Sequence, residues 1–79
     1  MKRFAYTVEL HEAVWEVGGL LILKQHWFNT YEEALKRYTS MTENTRNIGK
    51  IAVLNEIIYH ITNESKKVYE YSVFSSLVA

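Results

Sequence analysis

His11, His26 and Glu9 are the residues with the most specific potential chemistry. If Gly18-Gly19 forms a two-residue turn, His11 lies opposite His26, with Glu9 two positions away on the His11 face. Two imidazoles and a carboxylate could ligate zinc or another divalent ion. A half-exposed cross-strand pair explains the same residues without a metal, and a bulge near His11–Ala13 would separate them. The sequence therefore assigns no metal ligand and no cofactor. His60 reads as a surface strand residue. Ser40, Ser65, Ser72, Ser75 and Ser76 lack a nucleophile-elbow setting, and no glycine-rich loop offers oxyanion or phosphate donors. The Glu32–Glu33 pair is explained by the favourable field at a helix N-terminus. The expectation is a protein that is not an enzyme.

Aromatic residues are the richest class. Trp15, Trp27, Phe4, Phe28, Phe74 and six tyrosines stand in a chain of 79 residues. Most are expected in the core. The surplus suits a protein interface, because Trp and Tyr dominate binding hot spots. Trp15, Trp27, Tyr69 and Tyr71 are the candidate interface residues. A stacking platform for single-stranded nucleic acid, with Lys24, Lys66 and Lys67, is the alternative.

The elements that must position these side chains follow from periodicity. Phe4, Tyr6, Val8 and Leu10 alternate with Ala5, Thr7, Glu9 and His11, which predicts a strand. Trp15 and Val17 fall out of phase, so the bulge near His11–Ala13 is expected to return them to the same face. Gly18-Gly19 predicts a tight hairpin and a second strand from Leu20 to about Phe28. Thr30 and Glu33 form a capping box. Tyr31, Ala34, Leu35, Tyr38 and Met41 then make one helical face, with Glu32–Lys36 and Glu33–Arg37 pairs opposite, ending near Arg46. Lys50 to Thr62 reads as a strand, Asn63-Glu64-Ser65 as a turn, and Val68 to Phe74 as the last strand. Ser75 to Ala79 carries no clear signal.

The predicted fold is α+β: a ββαββ chain forming a four-stranded antiparallel sheet with one helix packed on one face. Residues 1–79 read as a single domain. Leu20 to Leu23 and the pairing of Ile51, Val53 and Ile57 against Ala52, Leu54 and Ile58 make strands apolar on both sides. One helix covers only one side, so a second subunit or a partner protein is expected on the other.

Composition narrows the partners. Nine Lys and Arg balance nine Glu, and the chain has no Asp, Cys or Pro. Disulfides and thiolate metal sites are excluded. Charge sums to zero separately over residues 1–29, 30–46 and 47–79, so the clustered cations of a duplex-binding protein are missing. No secretion signal is read at the N-terminus, and the longest apolar run, Val17 to Leu23, falls well short of the roughly 20 residues of a membrane span. A cytoplasmic location without membrane contact is expected. A chain this short has a thin stability margin, and homodimerisation is a usual remedy.

The stretch Phe4 to Met41 resembles the layout of HicB-type antitoxins: strand, paired glycines at Gly18-Gly19, strand, then a helix opening Thr30-Tyr31-Glu32-Glu33-Ala34-Leu35. The chain departs from that layout in lacking a Pro-Gly strand end and a Gly before the helix. In size, neutrality and Tyr- and Glu-rich ββαββ pattern, it also resembles the small accessory proteins of bacteriophages, including anti-defence and anti-CRISPR inhibitors. Both resemblances imply a protein that acts by occupying a partner, and the expected role is that of an inhibitor or modulator of a host protein or complex, acting by steric blocking. A structural subunit or a small antitoxin is the remaining alternative.

Overall fold

A computed structural model describes residues 4–16 and 18–79 of the chain. Strand β1 (Tyr6–Val14) and strand β2 (Gly19–Phe28) form one hairpin. Helix α1 (Tyr31–Glu43) and a single 3-10 turn (Thr45–Asn47) lead to a second hairpin, β3 (Ile51–Ile61) and β4 (Lys66–Leu77). The strand order is β2-β1-β3-β4, with β1 and β3 antiparallel at the centre. This is the expected ββαββ α+β architecture. No helix among the described residues is long and apolar enough to cross a membrane.

Helix α1 starts where the capping signal places it. The Thr30 hydroxyl accepts the Glu33 amide hydrogen at 3.3 Å and donates to the Glu33 carboxylate at 2.8 Å. Glu33 is thereby folded back onto the cap rather than forward to Arg37. The helix ends at Glu43, not near Arg46. Asn44 breaks it, and its side chain accepts from the Arg46 amide to start the 3-10 turn. Buried Asn47 donates its side-chain amide to the Met41 carbonyl at 2.9 Å, which satisfies one of the helix's orphan acceptors.

The core lies between α1 and the two central strands. Ala34 and Met41 from the helix meet Val8 and Leu10 of β1 and Ala52 and Leu54 of β3, with Tyr6, Phe28, Leu35 and Tyr38 packed around them. Val78, from the tail that carried no sequence signal, is also part of this core. Its amide donates to the Lys50 carbonyl, and its carbonyl accepts from Gly49. The last strand is accordingly longer than predicted, because its C-terminal half pairs with Ile51–Leu54.

The first hairpin differs from expectation in its turn and its register. β1 stops at Val14 and β2 begins at Gly19, with a Gly18 amide to Trp15 carbonyl bond of 3.3 Å between them. Gly18 has φ +64°, a conformation that favours glycine. Trp15 is therefore a turn residue rather than part of the strand, and Val17 lies outside the described residues. A register shift falls between Leu10 and His11, but the extra residue is Leu23 in β2, not a residue of β1. The combined effect is that His11 pairs with Ile22 and His26 pairs with Val8.

The two hairpins overrun each other at opposite ends. Pairing of β1 with β3 runs only from Tyr6–Glu56 to His11–Ile51. The end of the first hairpin projects past one end of this shared ladder, and Ile58–Tyr69 projects past the other. The molecule is correspondingly elongated, 45 × 31 × 18 Å.

Candidate protein interface

Register assigns each candidate residue to a face. Val8, Leu10 and Leu54 lie under the helix, so Thr7, Glu9 and His11, with their neighbours across the strands, lie on the bare face. Trp27 pairs with Thr7 and belongs to that bare face, 48% exposed on edge strand β2. Tyr71 pairs with Glu56 and Tyr69 with Ile58, which places both on the helix side of edge strand β4. Their rings stack with centroids 6.3 Å apart, and they are 52% and 41% exposed. Trp15, at the hairpin tip, is 91% exposed. The four residues thus occupy three places: one tyrosine pair, one face tryptophan and one tip tryptophan.

Position i,i+2 on a strand is what brings Tyr69 and Tyr71 together. Phe74 continues the row across a local register shift between Leu54 and Asn55, and its ring lies 5.8 Å from that of Tyr38. The Tyr38 hydroxyl lies 2.6 Å from the Ser76 hydroxyl, fixing α1 against the start of this row. Beyond Tyr38 the helix no longer covers β4, and Phe74, Tyr71 and Tyr69 remain exposed.

The bare face holds a buried polar network. Glu9 is only 5% exposed although it faces away from the helix. One carboxylate oxygen lies 2.8 Å from His11 Nε2, and the other accepts from Gln25 Nε2 at 2.6 Å. Beside it, Asn55 donates its side-chain amide to the buried Thr7 hydroxyl at 3.2 Å. His11 Nδ1 is buried and has no partner among the described residues.

His11 and His26 point to opposite faces, so the three-residue ligand set considered from sequence is not assembled. Only its Glu9–His11 half is. Among the described residues no group of three or more His or Glu gathers as a metal site. His26 instead lines a small cavity of about 80 Å³ near the end of α1, with Lys24, Arg37 and Ser40. Burial holds its proton affinity below the ordinary value, and the positive charges of Arg37 and Lys24 lower it further. No hydrogen bond joins His26 to Ser40, and no carboxylate lines the cavity to orient the imidazole. A nucleophile–base–orienter arrangement is therefore not formed there.

Sequence reasoning missed the Glu9–Gln25 contact, because it depends on the Leu23 bulge. It also missed the role of Phe74 as an exposed neighbour of the tyrosine pair. No protein-family model, no curated protein and no solved structure matches the chain.

Proposed function

We propose that the chain is a non-catalytic protein-binding module of the cytoplasm that works as a homodimer and inhibits or modulates a host protein or complex by steric blocking. The reading agrees with the resemblance to small bacteriophage accessory proteins, many of which, anti-defence and anti-CRISPR inhibitors among them, bind and inhibit a host protein. The observation that carries the reading is the imbalance of apolar surface. Among the described residues, eight apolar side chains are buried while seventeen large ones are exposed. These exposed groups are spread over both sheet faces and the first hairpin's tip, and among them Tyr69 and Tyr71 stack on each other, an exposed aromatic patch of the kind that marks protein contact sites. Tyr69, Tyr71 and Phe74 form the row best suited to a foreign partner. They are rigid, aromatic and lie on an edge strand that the helix leaves open.

A stacking surface for single-stranded nucleic acid is the second reading. Lys67 shares the face of Tyr69 and Tyr71, which favours it. Glu56, paired with Tyr71 on that same face, opposes a phosphate backbone there, so the protein reading is preferred.

Affinity capture from host lysate tests the proposal, comparing the wild-type chain with a Tyr69→Ala/Tyr71→Ala double variant. The wild type is expected to retain a defined protein set that the variant loses. Retention of the same set by both would exclude this surface.

A further inference from the structure

The cavity between edge strand β2 and the end of α1 gathers positive charge that has no ion-pair partner among the described residues. We infer that it binds a phosphate dianion, either free or as the terminal group of a small phosphomonoester. The site stands apart from the proposed protein-binding surface, since β2 and β4 are opposite edges of the sheet.

Sequence spacing builds the site. Lys24 and His26 are two residues apart on β2 and pair with Leu10 and Val8, so both lie on the helix side. Arg37, Ser40 and the cap residue Asn44 follow at three- and seven-residue intervals, which puts them on one helical stripe. The two rows face each other and, with buried Asn47, enclose the cavity of about 80 Å³. Residues 1–29 and 30–46 are each neutral in sequence. The fold nevertheless sets one cation from each beside the other, and no carboxylate lines the space between them.

The unpaired cations are the first ground for an anion. Among the described residues the only ion pair is Glu9–His11, on the other face of the sheet. Lys24 and Arg37 therefore bring two uncompensated charges to one small space. Burial, and then the charges of Arg37 and Lys24, lower the proton affinity of His26, which is thus mostly neutral at pH 7. No other titratable group lines the cavity, and β1 presents only apolar Val8 and Leu10 across from the β2 row.

The neutral lining groups are the second ground. Ser40 offers a hydroxyl. The Asn44 side-chain oxygen is taken by the Arg46 amide, which leaves its NH2 group as a donor. The Met41 carbonyl, which would repel an anion, is already capped by the Asn47 amide.

Size and charge fix the class of ligand. About 80 Å³ is well below the roughly 300–1,000 Å³ of a drug-sized site, so a compact ion fits it. A phosphate group carries about −1.5 to −2 at pH 7, which matches Lys24 plus Arg37, and its oxygens suit the paired N–H groups of Arg. A carboxylate would leave one cation uncompensated. A cleft of about 430 Å³, lined in part by Phe28, Glu33 and Lys36, adjoins the cavity and shares Arg37 and Ser40 with it. It has room for the rest of a phosphomonoester. Glu33, the one carboxylate lining that cleft, is engaged by the Thr30 hydroxyl.

NMR titration of the chain at low ionic strength tests the site, with inorganic phosphate, with a nucleoside monophosphate, and with chloride as control. Saturable shifts at Lys24, His26, Arg37, Ser40 and Asn44 are expected, with Kd below about 1 mM. Lys24→Gln/Arg37→Gln, at two exposed positions, should weaken binding at least roughly tenfold. Lys66→Gln/Lys67→Gln removes the same charge at the other edge and should leave binding unchanged. In sulfate, a dianion at every pH used, His26 should titrate at higher pH than in chloride, because a bound anion offsets Arg37 and Lys24. Affinity for phosphate at least equal to that for the nucleotide assigns the site to the free ion. Tighter nucleotide binding, with shifts reaching Phe28 and Lys36, assigns it to a phosphomonoester. No saturable shift with either ligand, binding that survives loss of Lys24 and Arg37, or an unmoved His26 would overturn the inference. Capture of a host protein through Tyr69 and Tyr71 is independent of all these results.

Discussion

Thr30 and Glu33 begin α1 through two mutual hydrogen bonds. Thr30→Ala removes both and leaves the Glu33 amide to water. A loss of about 1 kcal/mol is expected, read as a lower urea midpoint with unchanged slope. At the other end of the helix, Asn47→Ala strips the donor from the buried Met41 carbonyl, and a cost of roughly 1–3 kcal/mol is expected. The cap at Thr30 was legible in sequence because capping boxes are local. The cap at Asn47 was not, because it depends on how the chain turns after Asn44. His26 carries a pH dependence. Its folded-state proton affinity lies below the ordinary 6.5, so the unfolded chain binds that proton more readily. Its contribution is therefore complete above about 6.5 and is lost as pH falls through the lower folded-state value. Urea unfolding of wild type should show a falling midpoint in that acid range, and His26→Gln should flatten it.

Strand alternation made most of the fold readable at the level of elements. Val8 and Leu10 against Thr7 and Glu9, and Ala52 and Leu54 against Ile51 and Val53, keep period two and are seen as such. Leu54 is wholly buried at the centre of this pattern, so Leu54→Ala should cost about 2–5 kcal/mol in chemical denaturation. Register was not readable. It depends on Val14 pairing with Gly19 where Gly18-Gly19 suggested a two-residue turn, and on Leu23 standing unpaired in β2. Those two departures decide whether His11 meets His26, which is why the candidate ligand set dissolved while the strands themselves stood. The β3–β4 arm beyond Glu56 is a two-stranded ribbon, and such ribbons are marginal alone. Amides of Ile58–Ile61 should exchange with deuterium faster than those of Ala52–Leu54.

At the scale of the whole molecule, the sheet has two sides with different surroundings. One side is half covered by a single helix that reaches β4 through Tyr38. The other holds buried polar groups that bond within their own face. The sequence pattern announced this two-sidedness through strands apolar on both faces. It did not reveal which aromatics would gather, because Trp15, Trp27 and the tyrosine pair are separated by a turn, a face and an edge. Only Tyr69 and Tyr71, two residues apart on one strand, were bound to meet. The proposed role requires that pair to contact protein rather than nucleic acid. Capture by the wild-type chain after nuclease digestion, repeated at low and high salt, tests this most directly. The same proteins should be retained under every condition and lost with Tyr69→Ala/Tyr71→Ala, because aromatic anchors are insensitive to screening. A captured set that disappears with nuclease or falls steeply with salt would contradict it.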